Sequence, residues 1–467
     1  MVFSSLTFLY FYLPTVLLLY FAAPKKFKNL IILVSGLLFY AWGEPFYILI
    51  MVLSTAIDYT AGRMMDKYDD NPKMRKLFLL VSVCMNIGLL AIFKYSSFII
   101  TNINGLFGVS IFDPKLALPI GISFYTFQSM SYTIDLYMRN IKVQKSIISF
   151  TSYVTLFPQI VAGPIVRYED VANDIDSRTI TTDKIAQGIG LFVKGLAKKI
   201  LIANNIGLVW TQVKEMDIGS VSVLTAWIGI LAFTFQIYFD FSGYSDMACG
   251  LGKMLGFNFP QNFNFPYISK SISEFWRRWH MTLGSWFRSY VYIPLGGNRK
   301  GLFKTIRNLF IVWFLTGLWH GASWNFILWG LYFGVLIIIE RLGFGKLLQK
   351  LPAIISQLYT FFIVVIGWVL FDIEGLSPAF KYLKIMFGGG TQGVDSTAKY
   401  LLTSNFVVFA VAIISSTQLI KKIFEKLSSM KHDVVRYIIP LIQLVVLIMC
   451  TAYLVDATYN PFLYFRF

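Results

Sequence analysis

Charge is scarce in this sequence. Only 14% of its 467 residues are Asp, Glu, Lys or Arg, against about 25% in ordinary soluble domains. That deficit excludes a soluble globular chain, which at this length would divide into two or three domains joined by polar linkers. No such linker, low-complexity tract or internal repeat is present, and the missing inverted repeat argues against a secondary transporter. Cysteine is nearly absent. Cys84, Cys249 and Cys450 all lie in apolar stretches, with neither zinc spacing nor a disulfide framework, so packing is their expected role. There is no P-loop, no Ser-His-Asp order and no cluster that would bind a metal. The first apolar run follows Met1 without a basic region before it, so a spanning helix is expected there rather than a cleavable leader.

Apolar residues fill the space that charge leaves, at 56% of the chain with 17% aromatic. The runs recur from end to end, most clearly at residues 6–21, 30–42, 77–92, 200–210, 221–239 and 442–454. A bilayer core of about 30 Å needs roughly 20 apolar residues as helix. Only helices or closed barrels satisfy the backbone in lipid, and these runs lack the alternation of barrel strands. An all-α integral membrane protein follows, as one polytopic domain over residues 1–467. Its N-terminus is expected outside, with roughly ten crossings and two re-entrant elements, one at residues 146–183 and one around residue 320.

The net charge is +17, and two readings of it stand. Positive-inside loops and attraction to anionic lipid head groups explain it in one. Binding of a polyphosphate cosubstrate explains it in the other. Membrane lipids are expected partners and nucleic acid is not. The basic loops at 25–28, 63–76, 139–145, 277–307, 341–350 and 421–436 are assigned to the cytoplasm.

An ionisable group at membrane depth is a functional candidate by default. His320 is the leading one, inside Thr316–Gly330 with Trp313, Trp319, Trp324 and Trp329 around it. A helix entering near Asn308 would carry it about 18 Å in. A desolvated imidazole favours its neutral form, which can take a proton from an attacking hydroxyl or accept an acyl group. A structural histidine bonded to a neighbouring helix is the competing reading. His280 lies on the basic side of the same hairpin. Arg277, Arg278, Arg288 and Arg299, interleaved with Trp276, Trp279 and Trp286, form a patch matched to phosphate oxygens and a planar base. An interfacial aromatic belt is the alternative there. Asp240 and Asp246 close an apolar run, six residues apart and therefore off one another's helix face. With Asn325 they are candidate supports. His432, between Lys431 and Asp433, is expected to be a solvated surface residue.

At these residues the sequence resembles the membrane-bound O-acyltransferase family. The resemblance is carried by QIYFDFSGYSDMACG (236–250), EFWRRWHMTLGSWFRSYVYIPLGGNR (274–299), TGLWHGASWNFILWG (316–330), FPQIVAGPIVR (157–167), the N-terminal MVFSSLTFLYFYLP and the terminal NPFLYFRF. It spans nearly the whole chain and favours the bacterial branch that acetylates exported polysaccharides. It implies a ring of roughly 10–12 membrane helices with re-entrant elements, enclosing a central tunnel. His320 matches the family's catalytic histidine and His280 its second active-site position. The implied activity takes acetyl from cytoplasmic acetyl-CoA across the bacterial cytoplasmic membrane. An extracytoplasmic acetyltransferase partner would then modify a polysaccharide acceptor. No permanently bound cofactor is implied. Acetyl-CoA phosphates would dock near Arg277, Arg278, Trp279, Arg288 and Arg299, with His280 orienting the acyl carbonyl. A related branch moves D-alanine from a carrier protein, and a non-catalytic transporter or scaffold is the remaining alternative.

Overall fold

A computed structural model describes all residues except 162, 391, 430–432, 457–459 and 464–467. Every regular element among the described residues is a helix. His432 lies outside the described residues.

Among the described residues, six helices are long and apolar enough to cross a membrane: Ile48–Lys67, Pro72–Phe107, Val223–Met254, Trp324–Lys350, Ala353–Asp372 and Tyr437–Asp456. A seventh arises if Ser396–Ser404 and Phe406–Ser415, bent by 61°, count as one span. This is fewer than the ten crossings expected from apolar runs. Several runs fold into shorter helices, such as Phe8–Ala22 and the 14-residue Lys28–Ala41.

The chain divides into two compact units, residues 1–192 with 246–260, and residues 193–245 with 261–467. In the first, α1 (Ile48–Lys67), α2 (Pro72–Leu90) and α3 (Ile122–Tyr137) pack together. Asn71 starts α2 by accepting from the amides of Lys73 and Met74, with Pro72 at the first helical position, where a missing N–H costs nothing. Helix α3 illustrates why hydropathy undercounts helices. Fourteen of its 16 residues are buried in protein, among them Ser123, Thr126, Gln128, Ser129, Ser131 and Thr133. A helix shielded from lipid need not be apolar. Beside it Asp58 is fully buried and accepts from Ser82 Oγ at 2.6 Å and Asn86 Nδ2 at 2.8 Å. Such bonding is required of a polar group enclosed at membrane depth.

In the second unit, α4 (Val223–Met254, its residues to 245) accompanies α5 (Ile272–Arg278), α6 (Met281–Phe287), α7 (Leu302–His320), α8 (Trp324–Ile339) and α9 (Ala353–Asp372). Helices α7 and α8 form the expected hairpin, turning at Gly321–Ser323. Their axes approach closely because Gly330 faces Gly317: a Cβ on Gly330 would stand 2.9 Å from the Gly317 Cα. Of the cysteines, Cys450 is buried as expected, whereas Cys84 is exposed on its helix, and none of the three is in a disulfide among the described residues.

Candidate active site

His320 is the last residue of α7, and Gly321 stops the helix in extended geometry. The imidazole is 2% exposed. Its ring meets Trp329 edge-on at 4.9 Å between centroids, Phe371 of α9 at 5.5 Å and Trp319 at 5.0 Å. His280 occupies the turn between α5 and α6 and is equally buried. Its ring packs on Phe241 of α4 at 4.8 Å and on Trp319 at 5.8 Å. The indole of Trp319 therefore touches both histidines, which lie 40 residues apart in the chain. Burial pushes the His280 pKa down from 6.5 to about 3, keeping its ring neutral.

The backbone at His280 is unusual, with φ 44° and ψ 52°. A side chain there is strained, and such positions persist only where the surroundings enforce them. Asn262 supplies that enforcement. Its carbonyl accepts from the Met281 amide at 2.9 Å. Its side-chain Oδ1 lies 3.1 Å from His280 Nδ1 and accepts from the Thr282 amide at 3.2 Å and Thr282 Oγ1 at 2.9 Å. Nothing in the stretch around Asn262 distinguishes it as sequence, since its partners stand 18 and 20 residues away.

Helix α5 is anchored at its other end. Ser271 caps it through the Glu274 amide, and the buried Glu340 carboxylate, just after α8, accepts from the Ile272 amide at 2.6 Å and the Ser273 amide at 2.9 Å. A carboxylate at a helix N-terminus is favoured by the helix dipole. One acid thus ties the helix that leads to His280 to the hairpin that carries His320, a link the sequence pattern left unmarked.

The arginines separate into two kinds. Arg277, Arg288 and Arg299 are exposed. Arg278 is instead bonded inward, to Glu274 Oε1 at 2.9 Å and to the Asn264 carbonyl at 3.1 Å. Trp279 is 2% exposed and enclosed by Phe263, Phe275, Tyr267 and Trp368. Its indole faces are core contacts and not a platform for a base.

The supporting residues also differ in role. Asn325 donates to the Ile373 carbonyl at 2.8 Å, pinning the end of α9 next to Phe371 and thus bracing the wall on His320. Asp240 is paired with Lys199 and accepts from the Leu463 amide. Asp246, two turns on along α4, belongs to the other unit. No group of three or more His, Cys, Asp or Glu among the described residues could hold a metal.

A family model described as MBOAT, membrane-bound O-acyltransferase family, matches residues 110–370. The chain is 41% identical over 411 residues to a probable alginate O-acetylase AlgI of Pseudomonas aeruginosa, covering 86% of this chain and 78% of that one. It is 33% identical to a peptidoglycan O-acetyltransferase of Helicobacter pylori, over 83% of this chain and 80% of the relative. A teichoic acid D-alanyltransferase of Bacillus subtilis is 29% identical, over 54% of this chain and 68% of its own length.

Proposed function

The chain belongs to the membrane-bound O-acyltransferase family, and on that premise we propose that it O-acetylates an exported cell-surface polysaccharide, taking acetyl from cytoplasmic acetyl-CoA and passing it across the bacterial cytoplasmic membrane. The observation that carries this reading is the meeting of His280 and His320 on Trp319 in a buried setting. A neutral imidazole enclosed by indoles and phenyl rings can take the proton of an attacking group without competition from water. His320 is the base or the transient acyl carrier, and His280 stands across the same indole. The exposed Arg277, Arg288 and Arg299 offer guanidinium forks to the phosphates of the donor. An outer-side acetyltransferase partner completes delivery to the glycan, and residues 1–467 act as one polytopic domain.

The acetyl branch is favoured over D-alanyl transfer because the alginate and peptidoglycan O-acetylating relatives match more of the chain at higher identity than the D-alanyltransferase does. The test is thiol release from acetyl-CoA by purified protein in nanodiscs. Wild type should release thiol, and folded His320→Ala should not. Equal release by both would remove His320 from the chemistry. Release only when a D-alanyl carrier protein replaces acetyl-CoA would move the chain to the other branch.

A further inference from the structure

The amide of Asn262 can be oriented without ambiguity. Thr282 presents its backbone N–H at 3.2 Å, and a backbone N–H can only donate. The atom it meets must therefore be the amide oxygen. The same oxygen lies 3.1 Å from His280 Nδ1. Two acceptors cannot face one another at that distance, so Nδ1 must carry the proton. In a neutral imidazole the other nitrogen then holds the lone pair. Burial, which holds the ring neutral, makes the tautomer well defined.

We propose that Asn262 is a positioning residue for acyl transfer: it locks His280 as the Nδ1–H tautomer, so that Nε2 enters the reaction as a hydrogen-bond acceptor and not as a donor. This rests on the acyltransferase reading above and replaces the carbonyl-orienting role that the family resemblance implies for His280. An acceptor nitrogen cannot hold an acyl carbonyl oxygen, so His280 serves the proton-bearing group of the substrate. Asn262 clasps the 280–282 turn with both its carbonyl and its side chain, which sustains the left-handed backbone at His280.

The chain holds three histidines, so nitrogen-15 labelling of histidine in nanodiscs gives a spectrum simple enough to assign with His280→Ala as reference. Wild type should show His280 with Nδ1 protonated and Nε2 bare. Folded Asn262→Ala should show mixed tautomers, with kcat for thiol release down about 10- to 100-fold and KM nearly unchanged, as for removal of other groups that orient a histidine. Asn262→Asp keeps an acceptor oxygen and should restore the Nδ1–H tautomer and much of kcat. A wild-type His280 protonated on Nε2 would overturn the proposal, as would an unchanged tautomer and kcat in Asn262→Ala. The wild-type spectrum decides the point even if the alanine variant does not fold. Absence of thiol release from any acyl donor would sink the acyltransferase chemistry while leaving the tautomer result standing.

Discussion

Lys199 Nζ lies 2.6 Å from Asp240 Oδ1, with both side chains 1% exposed. The pair also grips the end of the chain: Asp240 Oδ2 accepts from the Leu463 amide at 2.9 Å, and Lys199 donates to the Pro461 carbonyl. Between these two contacts Phe462 stacks on Tyr244 at 4.2 Å. Removing one member leaves a buried, unpaired charge, which costs about 3–5 kcal/mol. Asp240→Ala should therefore lower thermal stability in detergent strongly, while the protein that remains folded keeps its turnover. Normal stability with turnover abolished would instead return Asp240 to the chemistry.

The hairpin depends on glycine at positions 317 and 330. A methyl group on Gly317 would meet the Phe326 carbonyl and the Ile327 Cα at 3.2 Å, and backbone cannot swing aside as a side chain can. Gly317→Ala should destabilise by about 1–3 kcal/mol through overpacking and lower kcat by shifting His320, which lies less than one helical turn away. A thermal melt together with thiol release checks both effects. Unaltered stability and rate would mean that α7 and α8 are not in close contact there.

Arginine substitutions should divide as the geometry does. Arg288→Glu and Arg299→Glu act on exposed residues and should raise KM for acetyl-CoA about tenfold each, in line with loss of one charge-assisted contact. That effect should fade as salt is added. Arg278→Ala breaks an internal bridge and should act mainly on stability. A uniform KM effect across all three would place Arg278 at the donor as well.

His280 also makes stability depend on pH. Its pKa is lowered from 6.5 to about 3 by burial, so the unfolded chain binds its proton more readily than the folded protein does. The stability is fully present above pH 6.5 and is lost as pH falls toward 3, by about 1.4 kcal/mol per unit. Melting temperatures between pH 7.5 and 5 should show a shallower acid slope for His280→Gln than for wild type. Identical slopes would mean that His280 is protonated or solvated in the folded state.

Much was legible in the linear chain because the bilayer imposes a strong rule on composition. Long apolar runs with few charges mark membrane helices whatever they pack against, and α4, α8 and α9 follow that rule. His320 stands out as a candidate for the same reason, as an ionisable group in an apolar stretch. The family motifs around residues 236–250, 274–299 and 316–330 named His280 beside it. Only the tertiary structure decided which polar groups meet. It enclosed α3 so that its serines and threonines needed no apolar face to lipid, buried Trp279, turned Arg278 inward and gave Asp240 to Lys199. It also brought Asn262 to His280 and Glu340 to the start of α5. Hydrogen bonds and ion pairs act over about 3 Å, and these partners are separated by 18 to 68 residues of chain. No local pattern encodes such a meeting, because it is set by how helices stack and not by what each helix is made of.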